Sequence, residues 1–244
     1  MEIVYNEKIL KTVEDWHKYV YTGNKSRNWR PGYSAESLAQ YICNNDGIKN
    51  IEKVISSILN EDVCIDSATP EKEIHFDKYG HGREHDLAIT AKTATGKKVF
   101  IGIEAKVNEE FGDTICKKYL EGKTKELNGV NTNLCNRIES LMRTYLPNPI
   151  NEEDFNLRYQ LLHATAGTMA ADDSYKQIFD YHIFLVLTFL TSNTDDAKVD
   201  SNYSDFNKYV KRLLVCAIND FKDTYSTKVA DGNLILAYRK VHLE

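Results

Sequence analysis

Three residues of this 244-residue chain have types and spacing suited to metal-assisted chemistry: Asp86, Glu104 and Lys106. They sit in two apolar runs, His85–Thr90 and Lys98–Val107. Both runs read as strands, and they flank Thr93-Ala94-Thr95-Gly96. A three-residue hairpin loop of Ala94, Thr95 and Gly96 places the glycine at the left-handed position. Residue numbers that pair across such a hairpin sum to 190, so Asp86 falls opposite Glu104. Opposed side chains have Cβ atoms roughly 4.5–5.5 Å apart, and like charges there destabilise a sheet. Two carboxylates so placed call for a cation, and a divalent metal with oxygen ligands is the natural one. Strand side chains alternate faces, so Lys106 shares a face with Glu104, Gly102 and Phe100. There it can orient a water or stabilise a developing oxyanion. Gly102 is expected to leave room for a substrate backbone.

The flanking elements must hold this pair in place. Ile9, Val13, Trp16 and Val20 recur at helical spacing. A polar stretch with Arg27, Arg30, Pro31 and Gly32 interrupts them. Ser34 then reads as an N-cap before Ala35, Leu38, Ala39 and Ile42, and Ile48 to Leu59 form a third amphipathic helix. Val63–Asp66 and Glu73–Phe76 read as two further strands. Helices return after residue 111, with Phe155, Tyr159, Leu162, Ala166 and Met169 on one face. Tyr181–Leu190 has the near-continuous apolar pattern of a strand buried on both faces. Asp195–Asp205 reads as an acidic loop, Phe206 to Phe221 as an amphipathic helix and Asn233–Tyr238 as a final strand. The expected fold class is α/β, a mixed central sheet flanked by helices, with an N-terminal helical segment. One domain is expected over residues 1–244: a helical part (1–60), a core (61–190) and a C-terminal helix and strand (191–244).

The pattern Asp86 … Glu104-Ala105-Lys106 resembles the signature of the PD-(D/E)xK nuclease superfamily, whose fold is called restriction-endonuclease-like. That family's core runs helix, three strands, helix, strand, similar to the order read here. The resemblance implies that Asp86, Glu104 and the carbonyl of Ala105 bind Mg²⁺ or Mn²⁺ and that Lys106 assists the attacking water. The proline that often precedes the first acid is replaced by His85. Family members often carry a glutamate on the first core helix, which implies Glu36, with Glu73 as runner-up. Some carry a glutamine on the helix after the motif, which implies Gln160, in Arg158-Tyr159-Gln160. The implied activity is metal-dependent hydrolysis of phosphodiester bonds, with DNA as the expected nucleic-acid partner. The alternative is a non-catalytic module of the same fold that binds nucleic acid or a protein. A homodimer is compatible with cutting two strands, although no residue specifies one.

Composition narrows the remaining classes. A net charge of −5 argues against holding nucleic acid by bulk charge, but residues 97–125 carry seven lysines against five acids. That window is a candidate phosphate-binding surface or a solvated helix. No apolar run reaches the roughly 18–20 residues of a membrane span. The five cysteines are dispersed without a CxxC pair, so a disulfide framework or zinc site is not expected and a cytoplasmic setting is. His81 and His85 are four apart, but the glycines at 80 and 82 suggest a turn, not a zinc-binding helix. No GxSxG elbow, P-loop or GxGxxG is present.

Overall fold

A computed structural model describes residues 2–44, 46–214, 224–230 and 232–243. Its strands are β1 (Ile3–Tyr5), β2 (Lys8–Leu10), β3 (Val63–Ile74), β4 (Arg83–Thr93), β5 (Lys98–Lys106), β6 (Tyr181–Leu190), β7 (Thr224–Val229) and β8 (Gly232–His242). They form one mixed sheet in the order β2-β1-β3-β4-β5-β6-β8-β7. The helices are α1 (Val13–Asp15), α2 (Ser34–Asn44), α3 (Gly47–Leu59), α4 (Ile115–Leu127), α5 (Leu134–Tyr145), α6 (Tyr159–Met169), α7 (Ala171–Tyr175) and α8 (Asp196–Leu214). The fold is mixed α/β, with helices on both faces of the sheet.

Side-chain alternation creates two apolar layers. Ile101, Ile103, Ile183 and Leu185 pack with Leu38 of α2 and Ile51 of α3. On the other face Phe184, Val186 and Leu236 pack with Ile138 of α5, Leu161 of α6 and Phe206 of α8. β5 runs antiparallel to β4 and parallel to β6, and β6 runs parallel to β8. β5 and β6 are therefore covered on both faces, which explains their continuous apolar sequences.

The β4–β5 hairpin has the expected register. Its pairs run from Lys92–Lys98 to Leu87–Ile103, each summing to 190. The Thr93 amide donates to the Lys97 carbonyl at 2.9 Å, and Gly96 takes φ +85°.

Several sequence expectations need correction. The N-terminal segment is not helical throughout, because Ile9 belongs to a β1–β2 hairpin with Tyr5 opposite Lys8. Asn6 and Glu7 form its two-residue turn, both at positive φ, which matches the right-handed strand twist. Trp16 and Val20 still reach the core, from a π-helical turn. The two strands expected at 63–66 and 73–76 are one strand, β3, bulged between Ile65 and Ser67. Pro70 gives the sequence its apparent break. β1 meets β3 only at Ala68, so Pro70 stands where β3 is an edge and a missing N–H is tolerated.

Asp195–Asp205 is not a loop, since α8 begins at Asp196. Its buried stripe includes Asn202, whose Nδ2 donates to the Glu109 carbonyl at 2.7 Å, and that polar residue hides the helical period. The helix positions Ala217, Ile218 and Phe221 lie outside the described residues. The final strand runs on to His242, and β7 beside it is an addition to the expected elements. Among the described residues no helix is long and apolar enough to cross a membrane.

Candidate active site

β5 carries two charges through the interior of the protein. Glu104 is 1% exposed and Lys106 6%, and charged side chains are so deeply buried only when paired. The Lys106 ammonium donates to Glu104 Oε1 at 2.8 Å and to Gln160 Oε1 at 3.2 Å. The Gln160 amide donates in turn to the same Glu104 oxygen, which closes a triangle. The Arg83 guanidinium holds the other oxygen of Glu104. The Lys106 ammonium also lies 5.3 Å from the centre of the Phe111 ring.

α6 delivers Gln160 from its first turn because its small residues let it lie close on β4 and β5. A Cβ placed on Gly167 would stand 2.5 Å from the Arg83 Cβ. The same close packing revises the role of Gly102. A Cβ there would lie 2.6 Å from His85 Cε1 and 2.8 Å from Thr168 Oγ1. The missing side chain makes room for His85, not for a substrate. His85 is fully buried, and burial with the nearby Arg83 guanidinium pulls its ring down to about 3, so it stays neutral.

The β4–β5 ladder ends at Leu87–Ile103, one pair short of Asp86 and Glu104. There the Asp86 carboxylate accepts the Ala105 amide at 2.7 Å. Asp86, Glu104, Lys106 and Gln160 line one cleft of about 340 Å³.

A third acid joins them that the sequence pattern did not single out. Pro70 pairs with Leu87 and Lys72 with His85, which sets Glu71 opposite Asp86. Glu71 takes φ +48°, a left-handed conformation inside a strand. Such strain in a non-glycine residue costs of order 1–3 kcal/mol and clusters at functional sites. Tyr21 Oη donates to Glu71 at 3.1 Å, and Lys25 pairs with it at 3.2 Å. Reading β3 as one continuous strand would have brought Glu71 into register with Asp86.

Glu109 also lines the cleft. Its carboxylate accepts the Ser34 amide at 2.9 Å and the Val107 amide at 2.8 Å. Ser34 is therefore the first residue of α2, capped by Glu109, and not itself the cap.

Charge is unevenly balanced in the cleft. Burial alone would raise the Glu104 carboxyl, but the Arg83 and Lys106 charges beside it hold it below the usual range. Asp86 goes the other way: burial, then the negative charges of Glu104 and Glu71, pushes it well above the usual carboxylate range. Burial likewise raises Glu71, only partly offset by Lys25.

Glu36 does not join the site. Its carboxylate accepts the Gly32 amide at 2.6 Å, and the neighbouring Ala35 lines the cleft instead. Glu73 accepts the Gly82 amide at 2.6 Å and stands opposite Glu84. Arg158 is structural, paired with Asp205 at 2.6 Å. The lysines of α4 pair with acids of their own neighbourhood, such as Lys117 with Asp113 and Lys125 with Glu121, so that surface is a solvated helix laced with ion pairs. His81 is exposed and lies 3.4 Å from Glu73.

Among the described residues no three His, Cys, Asp or Glu side chains converge closely enough to cage a metal. The donor set nevertheless fits a hard divalent cation. Mg²⁺ commonly uses only one or two carboxylates and keeps several waters. Asp86 and Glu104 are two carboxylates on adjacent strands, and Asp86 is raised first by burial and then by the charges of Glu104 and Glu71, a repulsion that a cation would relieve.

Neither a curated protein nor a solved structure matches the chain. A family model described as "Domain of unknown function (DUF6946)" matches residues 9–240. With nearly its whole length covered, the chain belongs to the DUF6946 family.

Proposed function

We propose that the protein is a metal-dependent nuclease that hydrolyses phosphodiester bonds, with DNA as its substrate. One observation carries this reading: Asp86, Glu104 and Lys106 share one cleft at the open end of the β4–β5 ladder. The order α3, three strands, helices, β6 is compatible with the PD-(D/E)xK resemblance. Asp86 and Glu104 would hold Mg²⁺ or Mn²⁺, with the Ala105 carbonyl as a further oxygen donor. Such an ion supplies charge neutralisation at the phosphate and a more acidic bound water.

The chain's own residues do the rest. Lys106 brings a proton donor and a positive charge next to the reacting phosphate, suited to orienting the water and steadying the developing oxyanion. Gln160 fixes the distance between Lys106 and Glu104 by bonding to both. Glu71 adds negative charge that favours cation binding. Cys43, Cys64, Cys116 and Cys135 are all free thiols, which supports a reducing, cytoplasmic setting.

One observation favours a second reading. Arg83 and Lys106 already neutralise Glu104, as they would in a non-catalytic module that uses the cluster only for structure. A cleavage assay on supercoiled, linear and single-stranded DNA with Mn²⁺, Mg²⁺ or chelator separates the two readings. Metal-dependent cleavage that disappears in Glu104→Gln supports the nuclease. Binding without cleavage in any metal supports the module.

A further inference from the structure

The segment between the π-helical turn and α2 lines one wall of the cleft, and the proposed chemistry leaves it without a role. It comprises a 3₁₀ helix, Gly23–Asn28, and the turn that leads to Ser34. Several contacts fix it. Lys25 is shared by Glu71 at 3.2 Å and Glu84 at 2.8 Å. Trp29 lies between His17, with ring centres 4.9 Å apart, and Tyr21, at 5.1 Å. Gly32 donates to Glu36 and Ser34 to Glu109.

Two arginines stand on either side of the Trp29 anchor, and both line the cleft. Arg27 and Arg30 are exposed, and among the described residues neither pairs with a carboxylate. Arg83, Arg137, Arg143, Arg158 and Arg212 each hold one. Arg30 lies 5.8 Å from the centre of the Tyr33 ring, a contact that orients a guanidinium without neutralising it. Two unneutralised cations on a braced strap face a cleft whose floor is acidic. They do not serve the acids below: Glu71 and Glu104 pair with Lys25, Lys106 and Arg83, and Asp86 and Glu109 accept backbone amides. Guanidinium groups bind phosphate oxygens in a fork-like, bidentate geometry, and a braced backbone spares part of the ordering cost.

We infer that Arg27 and Arg30 grip backbone phosphates of a DNA strand next to the one being cut. Asn28 lies between them on the same cleft wall. The inference rests on the nuclease reading for its substrate, but it is tested separately by binding.

The test measures binding of a labelled DNA duplex by fluorescence anisotropy across a salt series, with Ca²⁺ as the added divalent ion. The proteins are the wild type, the double variant Arg27→Ala/Arg30→Ala and the charge-preserving Arg27→Lys/Arg30→Lys. Removing one phosphate-binding cation flattens the plot of log affinity against log salt by about 0.9. The alanine variant is therefore expected to have a slope shallower by about 1.8, and the lysine variant to regain most of it. Melting curves confirm that both variants fold. In cleavage assays the alanine variant should raise KM with little change in kcat. An alanine variant with the wild-type slope overturns the inference, and so does a wild type that shows no salt-dependent binding. A shallower slope in a protein that cleaves no DNA upholds the grip and overturns the nuclease reading.

Discussion

At the scale of single residues, Asp86 and Glu104 share a cleft but not an electrostatic fate. Glu104 keeps its charge because Arg83 and Lys106 surround it. Replacing it with alanine would leave two nearly buried cations facing no carboxylate, and breaking buried pairs costs roughly 3–5 kcal/mol. Glu104→Ala and Glu104→Gln both remove the charge, so both are expected to unfold at lower urea concentration than the wild type. A wild-type midpoint in both would contradict the ion-pair geometry around Glu104. Asp86 shows the opposite sign. Its carboxyl titrates above the unfolded value of about 3.9, so the folded state retains a proton that the unfolded state has lost. Stability from this group is complete below about pH 3.9 and is lost as pH rises through the folded value. Asp86→Asn removes that loss and keeps an oxygen for the Ala105 amide. Its melting temperature should exceed the wild type's by a margin that widens as pH rises above about 4. A constant margin would show that Asp86 is not held above its unfolded value.

At the scale of elements, β5 and α6 build the site together, and their fit depends on two glycines. Gly102→Ala would force a Cβ within 2.6 Å of the His85 ring, which α6 keeps in place. Overpacking of this kind typically costs 1–3 kcal/mol, and the variant should unfold at correspondingly lower urea concentration. An unchanged midpoint would mean that His85 can move aside freely. The same elements explain what the sequence made legible. Alternation and turn chemistry sufficed for the β4–β5 hairpin, its register and the grouping of Asp86, Glu104 and Lys106. Gln160 also reached the site from α6, as the resemblance implied. Glu71 stayed hidden because Pro70 split β3 into two apparent strands. Glu36 was placed wrongly because a helix turns by roughly 100° per residue, so Ala35 can face the cleft while Glu36 bonds to its own turn. The β1–β2 hairpin was missed because Ile9, Val13, Trp16 and Val20 also fit a helical period, and only the left-handed Asn6 and Glu7 separate the alternatives.

At the scale of the whole molecule, one sheet brings together residues far apart in the chain. Arg27, Glu71, Asp86, Lys106 and Gln160 come from five different segments, yet line one cleft. Burial and mutual repulsion make full ionisation of Asp86 and Glu71 on its floor costly to the folded state, a cost that a bound cation would relieve. A ligand that binds only the native state stabilises it by mass action. Millimolar Mn²⁺ should therefore raise the wild-type melting temperature and leave Asp86→Asn nearly unchanged. An equal shift in both proteins would place the binding elsewhere.

The central claim concerns the reaction, and cleavage of supercoiled plasmid DNA by the purified protein tests it most directly, with Mn²⁺, Mg²⁺ or chelator and beside Glu104→Gln and Lys106→Met. A metal-dependent nuclease with this site should give nicked or linear product with either metal and none with chelator. Its rate should fall at least a hundredfold in both variants while their melting curves show a folded protein. Cleavage that persists in chelator, or that both variants retain in full, would contradict the claim.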